Sequence, residues 1–409
     1  MTDKGVWDLQ DVRDKLLQDD WHYVNDVAPY TLWCWGNNQG GLCAQNNTAP
    51  AVQGYSSPVQ VPGDWRGVQG GKGSWERGKF AIKNNGTLWA WGRGGDTGGW
   101  GTNASPSLAG YSSPTQLPGT TWSNNNDALG IGGYDMNASV KTNGQLWVWG
   151  TNYQGALGQN ITGSGYSNNP GNRSSPVQIP GTNWKTVTSG QGFNMLATKT
   201  DGTLWGWGGG GSGQLALNST SQRSSPTQIG TDSDWDKVYS DGDGSWGGAI
   251  KTDGTLWGWG ANSKIGWKGQ AGPSDEYRSS PIQLSGGTWS WARCGNKMMF
   301  AIKTDGTLWS WGAGSQGRLM LNDGQVDKSS PCQVGTATNW SSTAVGSNFA
   351  LAVKDDGTLW GAGYNEKGVL LTTTGINTRN SSPVQLPGSW VPRLGTTHMN
   401  SVMCCRLPS

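Results

Sequence analysis

Apolar and polar residues alternate in short runs along most of this chain, and the runs recur. The hexamer Thr31-Leu-Trp-Cys-Trp-Gly36 returns as Thr87-Leu-Trp-Ala-Trp-Gly92, Gln145-Leu-Trp-Val-Trp-Gly150 and Thr203-Leu-Trp-Gly-Trp-Gly208. It returns again as Thr255-Leu-Trp-Gly-Trp-Gly260, Thr307-Leu-Trp-Ser-Trp-Gly312 and Thr358-Leu-Trp-Gly-Ala-Gly363. A second marker, Ser-Ser-Pro-x-Gln, recurs around Pro58, Pro114, Pro176, Pro226, Pro281, Pro331 and Pro383. A fixed period of this length signals a repeat architecture. The unit from Trp184 to Gln228 reads as four strands: Trp184–Val187, Phe193–Lys199, Leu204–Trp207 and a short one from Pro226 to Ile229. Asp201-Gly202 is a hairpin signal, expected to place both residues at positive φ. A proline opening the fourth strand fits a sheet edge, because proline cannot donate to a ladder. Four antiparallel strands per unit is the content of one propeller blade.

Strand side chains alternate between faces. The two tryptophans of a hexamer therefore share one face, and the leucine and middle residue share the other. Blades stack face to face, so a large pair can seat against a small residue. On this reading Trp33, Trp89, Trp147, Trp205, Trp257, Trp309 and Trp360 are blade-packing residues. Most units carry an x-Ala-x-Lys strand before the hexamer, but Thr31–Gly36 has none in front of it. Met403-Cys-Cys-Arg406 supplies the missing strand from the other end. The expected fold class is all-β: a seven-bladed β-propeller of four-stranded antiparallel blades over residues 30–409. Pairing of its N- and C-terminal strands closes it and removes the sheet edges.

Composition narrows the function. The 409 residues include 27 Trp, 68 Gly and only two His, with a formal net charge of +2. So many tryptophans exclude disorder. So little charge argues against bulk nucleic-acid binding, which needs a basic field. His22 and His398 are too few for most histidine metal sites or triads. Cys34, Cys43, Cys294, Cys332, Cys404 and Cys405 form no C-x-x-C pair and read as buried thiols. No apolar run is long enough to cross a membrane, and residues 1–29 show no signal-peptide pattern. The loop carboxylates Asp135, Asp241, Asp243 and Asp275 show no pairing of the kind a glycosidase requires. No cofactor, metal or catalytic residue is expected, and the chain is read as non-enzymatic.

The repeat, with its Asp-Gly-x-Leu-Trp-x-Trp-Gly core, resembles the regulator of chromosome condensation repeat family. The Trp-Gly-Trp and Ser-Ser-Pro-x-Gln signatures resemble its bacterial and viral branch more than its nucleotide-exchange branch. The family includes an exchange factor and a protein β-lactamase inhibitor, so fold alone does not give function.

Residues 1–29 stand outside the repeats. Asp8 reads as a helix N-cap with Asp11 at N3, and Trp7 and Val12 as a hydrophobic staple. Trp7, Leu9, Val12, Leu16 and Trp21 are the candidate contacts of this anchor helix with a partner. Its Gly5-Val-Trp-Asp-Leu-Gln-Asp-Val12 start resembles the N-terminal segment of tailed-phage virion proteins. That resemblance implies a virion component, made in the host cytoplasm and displayed on capsid or tail. Other virion proteins would be the partners of the segment, and a host-surface molecule would meet the propeller loops. The alternative is a soluble propeller that binds a protein partner, for instance as an enzyme inhibitor. Variable loops on a rigid frame are where recognition is expected, with Trp100, Tyr153, Tyr166, Trp267 and Tyr277 as candidates.

Overall fold

The computed structural model describes residues 30–46, 54–70, 78–92, 97–103, 110–131, 135–163, 165–240, 245–261, 277–372, 377–397 and 400–406. The expected anchor helix, with Trp7, Leu9, Val12, Leu16 and Trp21, lies outside these residues, as do His22, His398, Trp267, Asp241, Asp243 and Asp275. The described chain is all-β: antiparallel strands joined by turns and four short 3-10 turns, with no α-helix among the described residues.

Five sheets have four strands each, hydrogen-bonded in chain order. One comprises Trp184–Ser189, Asn194–Lys199, Leu204–Gly208 and Arg223–Gln228. The others run through Leu129–Thr182, Trp235–Leu284, Trp289–Gln333 and Trp340–Leu386. The sixth sheet has seven strands, in the order Leu394–Thr397, Ser401–Arg406, Tyr30–Asn37, Gly54–Gly70, Gly78–Lys83, Leu88–Gly92 and Tyr111–Gln116. Its long strand Gly54–Gly70 pairs with Tyr30–Asn37 through its first half and with Gly78–Lys83 through its second.

The expected pairing between the two ends of the described chain is present. Thr31 faces Arg406 and Gly36 faces Ser401, with the intervening residues in unbroken register.

Two local expectations need correction. The fourth strand starts before the proline, at Arg223, so Ser-Ser-Pro lies inside it, and a bulge falls between Gly206 and Gly208. The Asp-Gly turn has one residue at positive φ, not two: Gly202 at 78°. The Gly202 amide bonds back to the Lys199 carbonyl, which makes a type I turn closed by a left-handed glycine. Asp201 instead serves as a local cap. Its carboxylate accepts from the Thr203 amide (3.0 Å) and the Thr203 hydroxyl (2.6 Å). Those bonds hold its acid below the usual carboxylate range.

The cap reaches on into the hexamer. The Trp205 indole N–H donates to the Thr203 hydroxyl at 2.8 Å. The same relay runs through Asp253, Thr255 and Trp257, and through Asp305, Thr307 and Trp309. The Asp-Gly-Thr-Leu-Trp spacing is thus one hydrogen-bonded unit.

The two tryptophans of a hexamer have different surroundings. The second one is sealed: Trp35, Trp91, Trp149, Trp207 and Trp259 have no exposed surface. The first one, read from sequence as a packing residue, is half-buried in every hexamer and packs against a core cluster from there. The stacking itself is as expected. Trp207 packs with Val148, Leu157 and Ile179 of the preceding sheet, and Leu204 packs with Trp259 of the following one.

Candidate partner-binding surface

Neighbouring sheets are fastened by loops that the two markers explain. The loop after a hexamer crosses to the next sheet and lies on its Ser-Ser-Pro strand. The Asn160 amide donates to the Ser224 carbonyl, and the Ser225 hydroxyl donates to the Asn160 side chain. Asn46 treats Ser112 and Ser113 alike, Asn218 treats Ser279 and Ser280 alike, and Asn322 treats Ser381 and Ser382 alike. Gly155, at φ 76°, lets this contact close: a Cβ there would sit 2.7 Å from the Ser224 Cα. The sealed tryptophan adds a further tie. The Trp207 indole donates to the Ala156 carbonyl, Trp259 to Gln214 and Trp91 to Leu42. Trp35 donates to Val369, joining the seven-stranded sheet to the Trp340–Leu386 sheet.

At the hairpin end of the sheets, each half-buried tryptophan is covered by a cation. Lys199 Nζ lies 4.0 Å from the Trp205 ring and 4.7 Å from Trp184. Lys83, Lys141, Lys251, Lys303 and Lys354 repeat this between their own pairs, and Arg406 does so between Trp33 and Trp390. Among the described residues, the aromatic faces on this rim are therefore occupied by the chain's own cations.

The opposite end of the sheets carries the loops that follow the hexamers. Here a residue in left-handed conformation precedes several second strands: Asp135 at φ 61°, Lys297 at 58° and Asn400 at 57°. Each carbonyl accepts from the loop after the hexamer, and Asn348 accepts the equivalent bond from Tyr364 without positive φ. In one sheet this position is Phe193, at φ 57°. A bulky residue there is an outlier, because its Cβ crowds the backbone. The ring stands 4.6 Å from Tyr153, edge to face, and 6.3 Å from Tyr166. Beside this group, Tyr153, Gln154, Thr162, Gly163 and Gln222 line a cleft of about 330 Å³. Gln154 is itself left-handed, at φ 56°. Asp135 closes the other flank, its carboxylate within 3.2 Å of the Thr97 hydroxyl and 3.5 Å of the Tyr166 hydroxyl.

Of the loop candidates, the structure brings Tyr153 and Tyr166 together. Trp100 is buried against Phe80 and Tyr111, whereas Tyr277 stands well exposed in a fourth strand. Phe193 and the cleft went unread. The signal was an aromatic where Asp135, Ser245, Lys297, Asn348 and Asn400 stand in other repeats. Among the described residues no cluster of His, Cys, Asp and Glu could hold a metal ion.

Models of the regulator of chromosome condensation (RCC1) repeat match residues 143–197, 201–244, 305–353 and 340–369. Those segments are similar to RCC1 repeats and lie within the four-stranded sheets. It is 30% identical over 210 residues to the RCC1 domain-containing protein RUG3, mitochondrial, of Arabidopsis thaliana, covering 50% of this chain and 44% of that one. It is 28% identical over 211 residues to the human probable E3 ubiquitin-protein ligase HERC3, covering 50% of this chain and 19% of that one. The chain thus spans less than half the length of these curated relatives.

Among solved structures, yeast RCC1 (Prp20), solved bound to Kap60, superposes with a TM-score of 0.77 at 17% identity, over 94% of this chain and 90% of that one. Human WBSCR16 gives 0.73 at 18% identity, over 93% and 100%. The fold is the RCC1-like β-propeller. A further yeast structure, of Prp20p, concerns binding to Gsp1p and histones.

Within this RCC1-like propeller, the seven-stranded sheet buries one polar cluster. Lys79 is fully buried, and its Nζ donates to Ser401 Oγ (2.6 Å), Cys34 Sγ (2.9 Å) and the Val402 carbonyl (3.2 Å). The sulphurs of Cys34 and Cys43 are 3.0 Å apart. Burial alone would push the Cys34 thiol up. The Cys43 hydrogen bond, the Lys79 charge and the bonds from Lys79 and Ser401 more than offset this and hold it at about 6. Burial and the Cys34 charge push Cys43 well up, and Tyr55 nearby is raised, first by burial.

A depressed acid stabilises the fold above its unfolded pKa and loses that contribution as pH falls through its folded value. The melting temperature of the protein, relative to Cys34→Ser, should therefore rise between pH 6 and pH 9. A pH-independent difference between the two curves would show that Cys34 does not ionise in the fold.

Proposed function

We propose that this chain is a protein-binding module, and that its partner engages the loop surface centred on Tyr153, Phe193 and Tyr166. The observation that carries this reading is Phe193. A left-handed phenylalanine costs roughly 1–2 kcal/mol that asparagine would largely avoid, and it holds a half-buried aromatic ring against Tyr153, which lines the cleft. Aromatic anchors of this kind dominate protein interfaces. Solved proteins of the same fold are described with Kap60, Gsp1p and histones, which supports a binding role over catalysis.

We further read the scaffold as a closed ring of seven blades, the seven-stranded sheet being two blades that share the strand Gly54–Gly70. Seven cation-covered tryptophan pairs support this, as does the Trp35–Val369 tie between the seven-stranded sheet and the Trp340–Leu386 sheet.

Phe193→Asn relieves the left-handed backbone cost but removes a half-buried ring, so stability should change by no more than about 1 kcal/mol in either direction, while recovery of the partner in quantitative co-purification falls. Equal recovery by both proteins would place the binding surface elsewhere. Residues 1–29, from which a virion role is read, bear on a separate outcome. Loss of partner only on deleting residues 1–25 would favour a virion component anchored by that segment, whereas the relatives in plant and human favour a propeller module.

A further inference from the structure

We propose that Cys34 and Cys43 are a peroxide-responsive disulfide pair, built into the seam where the strand Tyr30–Asn37 meets Ser401–Arg406. The pair does not depend on the partner-binding reading. Its geometry is already that of two reacting groups. The sulphurs lie 3.0 Å apart, inside ordinary van der Waals separation, and both residues are fully buried.

Lys79 is what distinguishes this pair from inert buried thiols. A cation without exposed surface needs an anion beside it. Its three donors go to one sulphur, one hydroxyl and one carbonyl. Of these three acceptors only Cys34 can become anionic, so Lys79 favours the thiolate, the reactive form of cysteine. Cys43, raised by burial and by the Cys34 charge, stays a thiol and serves as the resolving group.

The oxidant is hydrogen peroxide, small enough to enter through a local opening of the loop. Gly40 and Gly41, both at positive φ, make up the turn between the two cysteines. The Cys34 sulphur attacks one peroxide oxygen; the S–O bond forms, the O–O bond breaks and hydroxide leaves. The Cys43 sulphur then attacks the sulfenic sulphur. The S–S bond forms, the S–O bond breaks, and the Cys43 proton leaves with that oxygen as water. Two sulphurs are oxidised and one peroxide is reduced to water and hydroxide. The product fastens the loop whose Leu42 carbonyl receives the Trp91 indole, and whose Gly41 lies against Ser112. Oxidation would thus lock one contact between neighbouring parts of the propeller.

The test uses the full chain, reduced and then exposed to hydrogen peroxide, denatured and alkylated, with peptide mass spectrometry as the readout. The peptide containing Cys34 and Cys43 should lose two hydrogens and escape alkylation, and a thiol reductant should restore both. Cys294, Cys332, Cys404 and Cys405 should be alkylated throughout. Cys43→Ser should stop at a sulfenic acid on Cys34, captured by a cyclic 1,3-diketone. Lys79→Met should slow bridging at neutral pH by about tenfold or more. Alkylation of both cysteines after peroxide would overturn the proposal. So would a peptide pair linking Cys34 to Lys79 with one oxygen gained, which would make the lysine, not Cys43, the second partner.

Discussion

Removal of residues 400–409 should lower the melting temperature by about 10 °C or more and produce aggregation. The strand Ser401–Arg406 is not a terminal ornament. It lies between Leu394–Thr397 and Tyr30–Asn37 and pairs with both. Val402, Met403, Cys404 and Cys405 have no exposed surface, and burying each is worth roughly 1–3 kcal/mol. Its loss would also strip Lys79 of two acceptors and uncover Trp33 and Trp390, which Arg406 caps. Two strands would be left with open edges, which invite pairing with other chains. Calorimetry with light scattering checks this, and unchanged melting would show that the strand contributes nothing to the stability of the seven-stranded sheet.

The second large effect separates two tryptophans two residues apart. Trp207→Ala should cost about 3–5 kcal/mol, the range for emptying a large aromatic site in a packed core. It would open a void against Val148, Leu157 and Ile179 and leave the Ala156 carbonyl without its donor. Trp205→Ala should cost about 1–2 kcal/mol, since its ring is half-buried and the main loss is contact with Lys199 and Trp184. Denaturant titration of both variants gives the comparison. Equal losses would show that the half-buried ring contributes as much packing as the sealed one.

That pair illustrates how far local pattern reaches. Alternation placed Trp205 and Trp207 on one face, and they are on one face. It could not say which of them meets the preceding sheet, because that depends on how deep each pair sits between sheets. Ser-Ser-Pro-x-Gln was legible as a marker and as an edge strand. Its purpose, to receive an asparagine from the neighbouring loop, was not legible, because Asn160 and Ser225 lie 65 residues apart. The Asp-Gly turn was found correctly but given the wrong geometry. The aspartate prefers to cap Thr203, and a three-residue loop lets it do so without positive φ.

The sequence by itself determined what repeats: strand content, hairpin positions, the all-β class and the pairing of Thr31–Gly36 with the strand that ends at Arg406. Those follow from side-chain alternation and turn chemistry, which act over a few residues and are written many times in this chain. Only the tertiary structure decided what departs from the repeat. In the sequence Phe193 reads as the first residue of a strand like any other, until its neighbours bring Tyr153 and Tyr166 against it. Lys79, Cys34 and Ser401 are unremarkable until antiparallel pairing carries residues 322 positions apart to within 2.6 Å. Repetition specifies a scaffold because each copy confirms the others. A site is a single constellation, assembled by contacts between distant strands and loops, and no local pattern encodes it.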